Sequence, residues 1–200
     1  MLKIDGKLIA SELRDKLKKE VSVLKSKYNT IPGLTVILVG EDSASKIYVK
    51  NKEKFALEVG LNSEVIKYPE SVEEKVVLDK INELNNNSKV SGILVQLPLP
   101  KQINTQKVLL AVNPDKDVDG FHPTNFGKMA LDMSTFIPAT PFGILELLDR
   151  YGVDTQGKHT VVIGRSHIVG RPMRILMGRK GFPGNSTVTL THSHTKNITQ

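Results

Sequence analysis

The run LTVILV at residues 34–39 is apolar without a break and rich in β-branched side chains. A strand with one wet face alternates polar and apolar residues. A continuous run is what a strand covered on both faces requires, and parallel sheets flanked by helices are where such strands occur. Two further strand candidates follow, a more polar one at 62–68 and an apolar one at 90–95. Helical periodicity separates them. Leu8, Ile9, Leu13, Leu17, Val21 and Leu24 recur at helical spacing from Gly6 to Tyr28, and Val77, Leu78, Ile81 and Leu84 do so after Ser71-Val-Glu-Glu74, which has the form of a capping box. Strand and helix alternate three times before residue 113. The chain is therefore expected to be α/β, opening with a mostly parallel α/β domain. Ligands of such sheets bind beyond the carboxyl ends of the strands, here the loops at 40–43 and 96–100.

A second unit is expected after a connector. Thr140 suits an N-cap with Pro141 at the first helical position, and the helix carries Ile144, Leu145, Leu147 and Leu148. The boundary is placed near residue 139, giving domains 1–138 and 139–200. Residues 160–163 then read as a strand, Gly164 to Gly170 as a glycine-bounded turn into a helix through Ile175 and Leu176, and 187–190 as a second strand. This is the opening of a Rossmann-type nucleotide-binding sheet. It holds two strands where a dinucleotide domain has about six, so the sequence is expected to be cut short at Gln200.

The helix at 43–60, with Ser43 as N-cap, contains the most informative residue. Stepping about 100° per residue gives a face of Ala44, Tyr48, Lys52, Phe55 and Val59, with Lys46, Lys50 and Lys54 on the other side. One lysine of four thus sits in an apolar stripe, a turn from a tyrosine. Such a lysine loses hydration, and its pKa should fall unless a carboxylate compensates. Two readings stand, a lysine snorkelling at the edge of the stripe and a lysine held for chemistry.

The remaining motifs exclude more than they assert. The chain has no cysteine, so disulfides, thiolate catalysis and cysteine metal sites are out. No stretch approaches the roughly 20 apolar residues of a membrane span, and the first residues lack a signal-peptide run, so a cytoplasmic protein is expected. Net charge is +7, but the lysines are dispersed over helix faces with no basic block. Small anionic ligands, rather than a nucleic acid, are the expected partners. Asp115, Asp117, Asp119 and Gly120 imitate an EF-hand loop, yet Phe126 stands where the bidentate glutamate belongs. Asp119, beside Gly120 and Phe121, is the best cleft carboxylate. His167, His192 and His194 offer no fourth metal ligand at diagnostic spacing, so no metal is expected. The turn from Gly164 departs from G-x-G-x-x-G at Ser166 and Val169, but its place between strand and helix favours an anion. Arg165 in that turn and Ser193 after the next strand are placed to meet an extra phosphate, which suggests NADP with NAD as the alternative. A plain surface arginine is the other reading.

Four stretches together, SKIYVKNK at 45–52, GILVQLPLP at 92–100, PDKDVDGFHP at 114–123 and VIGRSHIVGRP at 162–172, resemble the bifunctional methylenetetrahydrofolate dehydrogenase/methenyltetrahydrofolate cyclohydrolase family in order and spacing. The resemblance covers essentially the whole chain. It implies a folate-binding catalytic domain, a Rossmann NADP-binding domain and a cleft between them. It further implies that Tyr48 stacks on the folate, that Lys52 is the catalytic lysine, that Gln96 bonds the substrate and holds Lys52, and that Asp119 anchors the pterin. Val95 and Leu97 would line the substrate. Gly164, Arg165, Ser166 and Ser193 would hold NADP. A homodimer acting on tetrahydrofolate one-carbon derivatives is the assembly implied. Ala139 stands where the family commonly has cysteine. Two rival functions are a dehydrogenase of similar plan acting on another small substrate and a non-catalytic folate- or nucleotide-binding remnant.

Overall fold

The structure is a computed structural model that describes residues 3–198. Contacts divide it into two compact units, residues 5–118 and residues 119–198 with 3–4. Each is an α/β unit with a parallel sheet.

The first unit contains α1 (Gly6–Tyr28), β1 (Gly33–Val39), α2 (Ser43–Glu58), β2 (Asn62–Tyr68), α3 (Glu74–Asn86), β3 (Gly92–Val95) and α4 (Thr105–Ala111). Its strands lie in the order β2-β1-β3, all parallel, with Val36 opposite both Val65 and Leu94. The central strand shows why the sequence run had to be continuous. Val36 and Leu38 face α2 and join Val49 and Leu94 in one cluster. Ile37 and Val39 point the other way and join Ile93, Val95, Val77, Ile81 and Leu84 beneath α3. Side chains alternate across a strand, so only an unbroken apolar run supplies both layers. Burying each such side chain contributes about 1.5–3 kcal/mol.

Helix ends differ from the sequence expectation in three places. Asp42, not Ser43, caps α2; its carboxylate accepts from the Ser45 backbone N–H at 2.7 Å. Hydrogen bonding from the Ser45 hydroxyl and then from its backbone N–H holds the Asp42 carboxyl below its ordinary range. The Ser71 capping box does not form. The helix begins at Glu74, and the Glu74 carboxylate turns instead to α4, accepting from the Asn104 N–H at 2.8 Å and from Lys107 Nζ at 2.5 Å. A long-range ion pair with a backbone donor wins over a local cap. Thr140 is likewise inside its helix, which starts at Ala139 after Pro138.

The second unit contains α5 (Pro123–Ala130), α6 (Ala139–Arg150), β4 (His159–Ile163), α7 (Gly170–Gly178) and β5 (Thr187–Thr191). β4 and β5 pair in parallel, Val161 opposite Thr189. One face of this ribbon carries Val162 and Val188, covered by Met129 of α5, Leu145 of α6 and Met173, Leu176 and Met177 of α7. Residues 119–138, grouped with the first domain in the sequence reading, cluster by contact with this unit. The cause is visible in the core, where Met129, Phe126 and Ile137 pack with α7.

Candidate active site and nucleotide turn

In the first unit the site is built at the carboxyl end of the sheet. α2 follows β1 through the turn at 40–42, and its buried side is Ser45, Val49 and Ala56, with Val59 just past its end. The expected stripe is therefore rotated. Ala44 is exposed, Tyr48 is 61% exposed and Phe55 38% exposed, while Val59 alone of the apolar positions is buried. The residues that fit against β1 and β2 are the small or β-branched ones, which let the helix approach the sheet closely. The bulky Phe55 turns outward, where the Arg14 guanidinium lies 4.7 Å from its ring centroid. Lys52 is half-buried at the margin of the true packing face.

The Lys52 ammonium does not run out into water alone. Nζ donates to Gln96 Oε1 at 3.1 Å. Gln96 is itself oriented, because its Nε2 donates to the Leu97 carbonyl at 2.8 Å. Its backbone N–H continues the sheet by donating to the Ile37 carbonyl at 2.9 Å. The amide oxygen is thus aimed at Lys52 by two further bonds. Among the described residues the ammonium forms no ion pair. Tyr48 lies one turn before Lys52, on the same side of the helix, with its ring open to solvent. Val95 is buried at the end of β3 and Leu97 is half-buried in the loop after it. Tyr48, Lys52, Val95, Gln96 and Leu97 are thereby brought to one end of one sheet.

Asp119 begins the second unit and is half-buried. Its neighbour Gly120 has φ +65°, and a Cβ there would sit 2.5 Å from the Phe136 carbonyl oxygen. Only glycine allows the chain to pass Phe136 so closely, and that fixes where the Asp119 backbone emerges.

The second unit gathers the four expected cofactor residues at the carboxyl ends of its two strands. The Gly164 N–H donates to the Thr191 carbonyl at 2.9 Å, tying the turn after β4 to the end of β5. Ser166 Oγ accepts from the N–H groups of Val169 and Gly170 at 3.1 and 3.3 Å. That folds the turn onto the start of α7. A Cβ at Gly170 would lie 2.0 Å from the Gly164 carbonyl oxygen, so helix and strand meet without room for a side chain. Arg165 and Ser193 are exposed beside this junction. A tight strand–helix turn with an exposed arginine beside it fits an anionic nucleotide.

One group of side chains escaped the sequence reading. Arg165, Arg171, Arg174 and His192 line a groove of about 620 Å³ whose other walls include Val188 and Leu190 of β5. The available signal was the i, i+3 spacing of Arg171 and Arg174. His192, weighed in the sequence only as a metal ligand, has a ring whose centroid lies 6.0 Å from that of His194. Its pKa is held below 6.5 by burial first, then by the Arg165 charge and by His194. Among the described residues no group of three or more metal-ligating side chains forms, and no helix is long and apolar enough to cross a membrane.

The sequence matches two family descriptions. Residues 4–119 match the tetrahydrofolate dehydrogenase/cyclohydrolase catalytic domain and residues 138–200 the NAD(P)-binding domain of the same family. A curated relative from Christiangramia forsetii, the bifunctional protein FolD, is 64% identical over 98% of this chain and 66% of its own length. The FolD of Flavobacterium psychrophilum is 62% identical over 100% of this chain and 68% of its own. Among solved structures, the Campylobacter jejuni FolD dehydrogenase/cyclohydrolase superposes with a TM-score of 0.92 at 42% identity, covering 97% of this chain and 67% of that one. A Trypanosoma brucei FolD, solved with NADP cofactor and inhibitor, gives 0.91 at 33% identity, covering 98% and 65%. The chain spans about two thirds of the length of these relatives.

Proposed function

Because the chain belongs to the tetrahydrofolate dehydrogenase/cyclohydrolase family, we propose that it takes part in a two-step one-carbon conversion. In the first step 5,10-methylenetetrahydrofolate gives up a hydride and becomes the 5,10-methenyl cation. In the second, water adds to that cation and the ring opens to 10-formyltetrahydrofolate with release of a proton. The single observation that carries the reading is the Lys52–Gln96 hydrogen bond at the end of the sheet.

The geometry supports a distinct role for each residue. Water attack on a methenyl carbon needs a group that orients the water or relays its proton. Lys52 supplies it, and the Gln96 oxygen fixes the amine in one direction while the Leu97 carbonyl fixes Gln96. Tyr48 offers an open aromatic face on which a flat heterocycle stacks. Asp119 anchors the pterin through hydrogen bonds that its carboxylate accepts. Val95 and Leu97 provide the apolar border. Gly164, Arg165, Ser166 and Ser193 hold NADP, or NAD in the alternative, and the bound cofactor supplies the hydride acceptor. Hydride transfer needs no protein acid, so the protein's share is orientation. The roles assigned to residues 1–138 and 139–200, folate binding and nucleotide binding, follow the same reading. So do a homodimer and a cytoplasmic location, both supported by the family likeness.

Replacing Lys52 with methionine removes the amine while keeping the length and the apolar stem. Hydrolysis of 5,10-methenyltetrahydrofolate, followed by its absorbance, should fall by about a hundredfold or more. The melting temperature should stay close to that of the parent. An unchanged hydrolysis rate in a folded K52M protein would refute the assignment.

A further inference from the structure

We propose that Asn125 and Thr135 are positioning residues for Asp119, closing a frame that fixes the place from which its carboxylate meets a pterin. The proposal rests on the reading of Asp119 as the pterin anchor.

Asn125 is buried where packing alone gives no reason for an amide. It is 2% exposed and, among the described residues, the one polar side chain in the group of largest fully buried ones. A buried amide costs stability unless its hydrogen bonds are replaced. Met129 lies one turn later on the same side of α5 and fills the apolar core with Leu145 and Met173. An apolar residue at 125 would join that core without the cost. What the amide supplies is a bond, because its Oδ1 accepts from the Thr135 hydroxyl at 2.8 Å.

Thr135 belongs to the segment 131–138, which joins α5 to α6 without regular structure. Leu131, Asp132, Met133, Ser134 and Phe136 are exposed, whereas Thr135 is half-buried. A backbone bond holds the first part, where the Met133 N–H donates to the Lys128 carbonyl at 2.9 Å. Further on, Thr135 holds the chain through Asn125, and Ile137 holds it by packing on the apolar core.

The residue after Thr135 is the one against which the neighbour of Asp119 rests. A Cβ at Gly120 would come 2.5 Å from the Phe136 carbonyl oxygen and 3.1 Å from Pro138 Cδ. The frame thereby closes on itself. Gly120 abuts Phe136, Thr135 bonds Asn125, and the short run from 125 back to 120 completes the circuit. His122 stiffens that run, since its Nδ1 accepts from the Thr124 N–H at 3.1 Å at the start of α5. Releasing the Asn125–Thr135 bond frees the exposed segment to leave Gly120, and Asp119 loses the stop that sets its place. A shift of about 1 Å in a positioning group is enough to cost about a hundredfold in rate.

The test removes the hydroxyl and asks whether the loss runs through Asp119. T135V deletes it at nearly constant volume. T135A and T135S differ from each other by that oxygen alone, so they carry the comparison if T135V does not fold. Binding of 5-formyltetrahydrofolate is measured by calorimetry, with thermal melting as the check on folding. T135V, T135A and N125L should each bind at least about fivefold more weakly than the parent, while T135S stays within about twofold of it. D119N alone should weaken binding by about tenfold, as the loss of a charge-assisted bond does. Adding T135V to D119N should cost less than about a further twofold, because residues that act through one group are not additive. Parental affinity in T135V or N125L, equal losses in T135S and T135A, or the full T135V loss repeated on D119N overturns the proposal and leaves the pterin anchor standing. Parental affinity in D119N, or a parent chain that does not bind this folate, overturns the anchor reading and the proposal with it.

Discussion

Residues 5–118 and residues 119–198 both build parallel sheets, yet they cover them differently. In the first unit β1 is buried along both faces, and its even- and odd-numbered side chains feed separate clusters. In the second, β4 and β5 bury one face only. Val161 is 53% and Ile163 74% exposed; Thr189, the partner of Val161, is exposed, and so are the paired His159 and Thr187. The two candidate sites reflect this contrast. Lys52 and Gln96 lie 44 residues apart and meet through a fully packed sheet. The nucleotide turn is local, made by glycine backbone and a serine hydroxyl within seven residues of one another. A site assembled from distant residues needs a rigid scaffold, whereas a backbone cradle carries its own geometry.

The largest expected effect tests the scaffold. Ile37 is fully buried in the centre of β1, and I37A should cost about 2–5 kcal/mol in urea denaturation. I163T on the open face of β4 should change stability by no more than about 0.5 kcal/mol. A loss at Ile163 as large as that at Ile37 would break the contrast and show that the open face is covered in solution.

Next in size is the cradle. G170A places a methyl group against the Gly164 carbonyl and should cost about 1–3 kcal/mol, as overpacking does. Nucleotide affinity should fall with it, while the hydrolytic step assigned to the first unit persists. Loss of both in a folded G170A protein would show that the two units do not act separately.

The smallest effect belongs to the first unit alone. Hydrogen bonds from Lys107 and then from the Asn104 backbone hold the Glu74 carboxyl below its ordinary value of 4.5. A depressed carboxyl stabilises the fold above its unfolded pKa, and that contribution is lost as pH falls through the folded value. The melting temperature of the parent should therefore exceed that of E74Q near neutral pH. The gap should close as pH drops below about 4.5. A gap of constant size across that range would mean that the α3–α4 link is not ionic.

Periodicity and apolar runs made the elements legible. α1 spans the residues its heptad-like spacing indicates, and the three strands of the first sheet lie where the runs predict. What stayed hidden was decided by tertiary contact. Ser71 and Glu74 satisfy a local capping rule, but α4, about 30 residues later in the chain, offers Glu74 two donors. Tyr48 and Phe55 look like core residues on a helical wheel, and close approach of α2 to the sheet instead selects Ser45, Val49 and Ala56. Lys52 was conspicuous from its helix alone. Its partner Gln96 was named only through the family resemblance, since no local spacing links residues so far apart. The arginines of α7 were overlooked because each, taken singly, is an ordinary surface residue. Their significance lies in the groove they share.

The opposed layers of β1 and β3 set a limit on how the region around Gln96 can vary. Leu94 belongs to the layer beneath α2, Val95 to the layer beneath α3, and Gln96 returns to the α2 side, where Lys52 lies. Adding or deleting one residue between Gly92 and Gln96 would swap those sides and send the amide toward α3. Length changes here are tolerable only in twos, and a lineage that retains the lysine–glutamine contact must also retain the count of residues leading up to it.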